Sequence, residues 1–155
     1  GNIHTAGNSS QISDGSAAVL WMTAEQAKAR GLKPRARIIS DCVVGTDPYY
    51  LLDGPIDATN EMMRKTGMKL ADVDLYEVNE AFAAVVLSWL KVFEPDVDKL
   101  NVNGGAIALG HPVGATGARI MTTLLYALKQ QKKNLGLATL CGGGGVSMAC
   151  AIEIV

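Results

Sequence analysis

Residues 101–117 read NVNGGAIALGHPVGATG, with five glycines (Gly104, Gly105, Gly110, Gly114 and Gly117) and a single histidine, His111, between Gly110 and Pro112. Glycine serves tight turns and close approach of backbone to a ligand. Pro112 fixes its own φ and drives His111 toward an extended conformation. The imidazole is therefore presented from a stiff loop. The pattern after it predicts a helix over 113–129, so the loop lies near a helix N-terminus, where free N–H groups favour negative charge. The rest of the chain is read as supplying partners for this loop.

The 155 residues suffice for one domain with a sizeable core, and 48% apolar against 19% charged residues marks a folding chain. A net charge of -1 gives no electrostatic case for nucleic acid. The one basic cluster, Lys129, Lys132 and Lys133, reads as compensation of a helix C-terminus. Three cysteines without zinc spacing suggest a reducing compartment and leave room for a working thiol. The longest apolar stretch, 81–90, is too short to span a bilayer. The opening residues, GNIHTAGNSS, lack a signal-peptide core and a starting Met, so a processed or cut chain is expected. The chain ends EIV, without a peroxisomal address, and the bacterial cytoplasm is the expected location.

Periodicity predicts a loop over 2–15, a buried strand at 17–22, a helix over 24–30 capped by Thr23, and a strand at 36–44. A helix over 56–66, a short strand at 75–78, and an apolar helix over 80–93 follow. Beyond the glycine loop and its helix come a strand at 135–140, the cluster CGGGG at 141–145, and a last strand at 146–155. Alternating elements imply an α/β domain, with the last two strands as antiparallel neighbours.

Four polar sites interrupt this apolar framework. His111 is the first. Cys141 ends a strand and enters four glycines, which admits two readings: a plain hairpin turn, or a thiol with space beside it and free N–H groups for an oxyanion. Cys42 and Cys150 read as small core hydrophobes. Asn79, in VNEAFA, is either a helix N-cap or an amide that holds a water or carbonyl, and Glu80 reads as a first-turn charge. Ser9 and Ser10 lie in the opening loop. Neither glycine loop has nucleotide-binding spacing, and His4 and His111 lack neighbours at metal-ligand spacing.

Four stretches, HTAGNSSQISDG at 4–15, VNEAFA at 78–83, NVNGGAIALGHPVGATGAR at 101–119 and CGGGG at 141–145, resemble in order those of the C-terminal half of a thiolase. The resemblance implies a βαβαβαββ half-domain with a mixed sheet, part of a layered α/β/α/β/α body, with residues 1–15 as an active-site loop. It implies an N-terminal half, absent here, that carries the nucleophilic cysteine. It also implies ping-pong acyl transfer: thiolysis of a 3-ketoacyl-CoA, or the reverse condensation of acetyl-CoA. His111 would activate that nucleophile and help bind the thioester oxygen. Asn79 would hold a water completing that oxyanion site. Cys141 would be the acid/base, and the Gly143 N–H would serve the other oxyanion hole. Ser10 would contact the pantetheine arm and Phe82 would line the acyl pocket. Coenzyme A thioesters enter as substrates and no separate cofactor is implied. The partners implied are acyl-CoA, CoA and the N-terminal half, in a dimer or tetramer of full subunits. Two other readings are an incomplete half that only binds CoA or its partner, and a free-standing Cys141–His111 hydrolase. The 4–15 and DPYYLLDGP stretches look more like thiolases of longer or bulkier acyl chains.

Overall fold

Glycines and prolines punctuate the chain into five α-helices and four strands among the described residues. The computed structural model describes residues 3–155; Gly1 and Asn2, where the expected opening loop begins, lie outside them. The elements are α1 (Ala24–Ala29), β1 (Ala36–Gly45), α2 (Gly54–Thr66), β2 (Leu75–Val78) and α3 (Ala83–Phe93), then α4 (Ala106–Leu109), α5 (Thr116–Gln131), β3 (Leu135–Gly142) and β4 (Val146–Ile154). Thr23 caps α1, its hydroxyl accepting from Gln26 N–H at 3.3 Å. Gly67, at φ 73°, closes α2 in the left-handed conformation that glycine adopts without strain.

The sheet runs β1-β4-β3-β2. β2 and β3 are parallel, with Val78 opposite Thr139. β3 and β4 form the expected antiparallel pair, and β1 joins β4 antiparallel with a bulge between Ile38 and Ser40. On the free side of β2, Leu100 makes a single parallel bridge to Tyr76, and Asn101 N–H donates to Tyr76 C=O at 2.9 Å. This bridge stands in the third strand position of βαβαβαββ, between α3 and α5.

The strand expected at 17–22 is a correction. Those residues form no ladder, and Leu20 and Trp21 are 77% and 53% exposed. An apolar run becomes a strand only where an edge pairs its N–H and C=O groups, and this run lies before the sheet begins. Two helix starts also move. Phe82 stays extended at φ -142°, so α3 begins at Ala83 rather than at Glu80. The turn after Pro112 delays α5 to Thr116.

Helices α2 and α3 cover one face of the sheet, packing Ala58, Met62 and Trp89 on Tyr76, Leu137 and Ala149. The Trp89 indole N–H donates to Thr59 Oγ1 at 3.0 Å, so its burial leaves no polar atom unpaired. Helix α5 covers the other face with Ile120, Leu124 and Leu128 on Leu75, Ala138 and Ile152. Gly136 makes room for this contact, since a Cβ there would lie 2.8 Å from Leu124. Apolar side chains also reach the surface: Val43 and its register partner Met148 are 65% and 41% exposed, and Leu87 of α3 is 62% exposed.

Leu124→Ala should lower stability by about 2–5 kcal/mol through the cavity it leaves. Leu87→Ala should change it by less than about 0.5 kcal/mol. Urea unfolding of the two variants beside the parent checks both.

Candidate active site

Asn79 and Cys141 leave the same end of the sheet. The Asn79 N–H donates to Thr139 C=O at 3.0 Å, extending the parallel ladder of β2 and β3 by one bond, and Cys141 lies two residues beyond Thr139. Carboxyl ends of parallel strands are where open α/β sheets bind ligands. Asn79 is 1% exposed, and neither atom of its amide has a hydrogen-bond partner among the described residues. It is not a helix cap, because the cap position of α3 belongs to Phe82.

Two residues that fix this strand end were not singled out as such from the sequence. Asn101 takes a left-handed backbone, φ 45°, and lays its amide along Val78: Oδ1 accepts from Val78 N–H and Nδ2 donates to Val78 C=O, both at 2.9 Å. One side chain thus imitates a paired strand. Glu80, expected to act as a first-turn charge, instead reaches across to the other glycine loop. Its Oε1 accepts from Asn101 Nδ2 at 3.1 Å, and its Oε2 from the N–H of Ile107, in the first turn of α4, at 3.1 Å. Gly105 makes the approach feasible, since a Cβ there would stand 2.0 Å from the carboxylate. Their sequence signal was their place inside two of the four motifs, Glu80 in VNEAFA and Asn101 at the head of the 101–119 stretch.

His111 follows α4 through Gly110, whose φ of 92° favours glycine and whose Cα faces Ser13. The His111 N–H donates to Gln11 C=O at 2.8 Å, and Ile12 bridges it in parallel. Its Nδ1 lies 2.7 Å from Thr116 Oγ1, whose hydroxyl donates to Pro112 C=O at 3.0 Å. The Thr116 proton is thereby committed, so its lone pair receives Nδ1–H and the ring keeps Nε2 free as an acceptor. Burial, with the charge of Arg119 in support, lowers the His111 pKa below the ordinary imidazole value. The site therefore holds a neutral base.

The opening segment threads between the two loops. Ser10 donates twice to Ala81 C=O, from N at 3.0 Å and from Oγ at 2.9 Å. Ser9 bridges Phe82, whose ring lies 4.9 Å from that of His4. An open cleft of about 370 Å³, lined by Ser13, Asp14, Gly15, Pro112, Val113 and Gly114, lies beside His111.

Cys141 is partly buried, and burial pushes its thiol above the ordinary range. Gly143 is in the turn joining β3 to β4, exposed, with open space where a side chain would stand. Gly144 and Gly145 carry φ of 82° and 76°, which makes CGGGG a hairpin turn as well as the setting of a thiol. The Thr46 N–H donates to Gly145 C=O at 2.8 Å and ties the DPYYLLDGP loop to this turn. Cys42 is a core residue donating to Ala58 C=O, and burial drives Cys150 to about 11, so both are inert neighbours. Direct contacts bring together Ser10, Asn79's loop, Phe82 and the His111 loop. Cys141 and Gly143 share the sheet end with Asn79, and no hydrogen bond joins Cys141 to His111, whose ring bonds to Thr116. The ready-made dyad of a hydrolase is therefore not assembled. Among the described residues no helix is long and apolar enough to cross a membrane.

Residues 32–154 match the family model described as the thiolase C-terminal domain. The chain is 53% identical over 149 residues to an acetyl-CoA acetyltransferase of Escherichia coli, covering 96% of this chain and 38% of that protein. It is 50% identical, over 96% of its length, to 37% of a steroid 3-ketoacyl-CoA thiolase of Mycobacterium tuberculosis. The fold superposes on the crystal structure of the Bacillus anthracis acetyl-CoA acetyltransferase with a TM-score of 0.94, at 46% identity, across 97% of this chain and 38% of that one. The chain thus spans less than two fifths of the length of these relatives. With the α/β sheet and the motif order in agreement, the chain belongs to the thiolase family, whose C-terminal domain it carries.

Proposed function

We propose that this chain is one side of the active site of an acyl-CoA C-acyltransferase, completed by an N-terminal half that carries the nucleophilic cysteine. The observation that carries the reading is the neutral His111, with Nδ1 held by Thr116 and Nε2 free, on a loop that the carboxylate of Glu80 ties to the strand end of Asn79. In thiolysis, Nε2 takes the proton of the nucleophilic thiol, whose sulfur attacks C3 of a 3-ketoacyl-CoA. The C2–C3 bond breaks, its electron pair moves to C2 of the leaving acetyl-CoA, and the Cys141 thiol protonates that carbon. The Cys141 thiolate then takes the proton of incoming CoA. The CoA sulfur attacks the acyl-enzyme, and the nucleophile leaves and recovers its proton from His111. Condensation of acetyl-CoA runs the same steps backward. Asn79, with an unpaired amide, binds a water that joins His111 at one oxyanion, and the Gly143 N–H serves the other. Ser10 contacts the pantetheine arm and Phe82 lines the acyl pocket. CoA thioesters are the substrates, without a separate cofactor, in a cytoplasmic dimer or tetramer of full subunits.

The second reading, an incomplete half, applies to the chain alone. With less than two fifths of its relatives' length and neither His111 nor Cys141 matching the nucleophile, it should not turn over acetoacetyl-CoA by itself. Acetoacetyl-CoA loss in the presence of CoA tests the proposal. Turnover is expected with the N-terminal half supplied and should fall by roughly 10²–10⁴ in His111→Ala. Full activity of that variant would refute the role of His111.

Two further outcomes follow from the proton positions. Thr116→Val removes the acceptor for Nδ1–H, frees the ring to change tautomer, and should lower kcat by roughly tenfold or more while KM for CoA stays close to the parent value. The pH profile of kcat/KM should be broad. His111 must be neutral to accept a proton, and its lowered pKa puts the acid limb below about 6.5. Cys141 must hold a proton to donate one, and its raised pKa puts the alkaline limb above about 8.5. A profile narrower than these limits counts against the assignment.

A further inference from the structure

Two residues before Asn79 stands an ion pair, its carboxylate buried and its guanidinium partly buried, that the chemistry above does not use. Glu77 is two residues upstream on β2, on the same face of the strand, and is 2% exposed. Arg119, in the first turn of α5, approaches it with Nη1 3.7 Å from Oε2, too far for a hydrogen bond. Glu77 Oε1, Arg119 Nη1 and both atoms of the Asn79 amide are buried without partners among the described residues. Buried polar atoms are nearly always paired, so such a cluster on one face, next to a reacting site, calls for a reason. A charged pair is also a costly way to fill the space under a helix, since apolar residues of similar volume often serve stability as well or better.

We propose that Glu77 and Arg119 are positioning residues for this site: the pair backs Asn79 with a polar wall that fixes its amide, and it sets a permanent positive charge against the His111 loop. The proposal rests on the roles given above to Asn79 and His111. The donors and acceptors of the three residues are complementary, Arg119 offering N–H, Glu77 accepting, and the amide doing both, so ordered water between them satisfies the set. Burial, opposed by Arg119 and helped by Glu80, raises Glu77 to about 7. A carboxyl that is partly protonated near neutral pH only partly cancels the guanidinium, so the Arg119 field reaches the imidazole. The charged groups about the His111 loop are Arg119 on α5, Glu77 on β2, Glu80 in the loop after it, and Asp14, which shares the cleft with Pro112. Arg119 is the one that adds to burial in keeping His111 neutral.

The test is NMR titration of the His111 ring, assigned by its loss in His111→Asn, in the chain combined with its N-terminal half. Three variants are compared with the parent: Arg119→Gln, Arg119→Lys, and the double variant Glu77→Gln with Arg119→Gln, which leaves no buried charge unpaired and so guards against misfolding. Both variants with Gln at 119 should raise the His111 midpoint by about half a unit or more, because a neighbouring positive charge has been removed. Arg119→Lys should bring it back toward the parent value. The acid limb of thiolysis should follow the same order, with kcat reduced more than KM. An unchanged His111 midpoint in the Gln variants, or a Lys variant that behaves like Gln, would overturn the proposal. The ring titration needs no turnover, so a preparation that titrates as expected but does not cleave acetoacetyl-CoA would refute the proposed function and leave the field of Arg119 standing.

Discussion

The carboxylate of Glu80 ties together two loops that are 21 or more residues apart in the chain. One oxygen binds the amide of Asn101, which itself pairs with Val78 at the end of β2; the other caps the first turn of α4, which leads to His111. Charged hydrogen bonds of this kind are stronger than neutral ones, and a carboxylate shared between two loops fixes their separation as well as their orientation. Asn79 and His111 come from different motifs, yet Asn79 directly precedes Glu80 and His111 lies four residues after Ile107, whose N–H Glu80 holds. The bare Cα of Gly105 is the condition for it, because any side chain there would occupy the place of the carboxylate.

That clamp is rigid because what lies beneath it is rigid. Trp89, Met62 and Leu124 fill the two faces of the sheet, and β2 and β3 are buried along most of their length. The periphery is different. Val43, Met148 and Leu87 expose apolar surface, and β1 is an edge strand with mostly exposed side chains.

Strand and helix order was legible in the sequence wherever the pattern was backed by local chemistry. Gly67 after α2, Thr23 before α1 and the glycines between β3 and β4 mark their elements through backbone conformations that few other residues support. The error at 17–22 arose because an apolar run states only that side chains prefer burial, and pairing depends on an edge that sequence does not display. His111 stood out by its Gly–Pro setting and Cys141 by its glycines, and the roles proposed for them come from the family resemblance. The first-turn reading of Glu80 and the N-cap alternative for Asn79 rested on distance to the next helix, and both fail for one reason. Phe82 remains extended, so α3 starts three residues later and neither polar side chain belongs to its first turn. Thr116 and Arg119 were not legible at all, because their partners, His111 and Glu77, meet them only after α5 has packed on the sheet.

Burial shifts the two titrating groups of the site in opposite directions for a single reason. A desolvated imidazole resists becoming a cation and a desolvated thiol resists becoming an anion, so His111 falls and Cys141 rises. Both groups therefore rest uncharged over the neutral range, one ready to accept a proton and the other ready to give one. Direct exchange between them in the resting state would create an ion pair in a poorly solvated place, and no hydrogen bond joins them to make that easy. Under the proposed function, charge separation is left to the moment when a substrate brings its own developing oxyanion to the site. In the reaction proposed above, a proton moves from nucleophile to His111 and from Cys141 to carbon in separate steps, each driven by the group being transferred. A resting pair without a shared hydrogen bond is thus compatible with the proposed acyl transfer between two thiols, in which each group meets its own proton donor or acceptor.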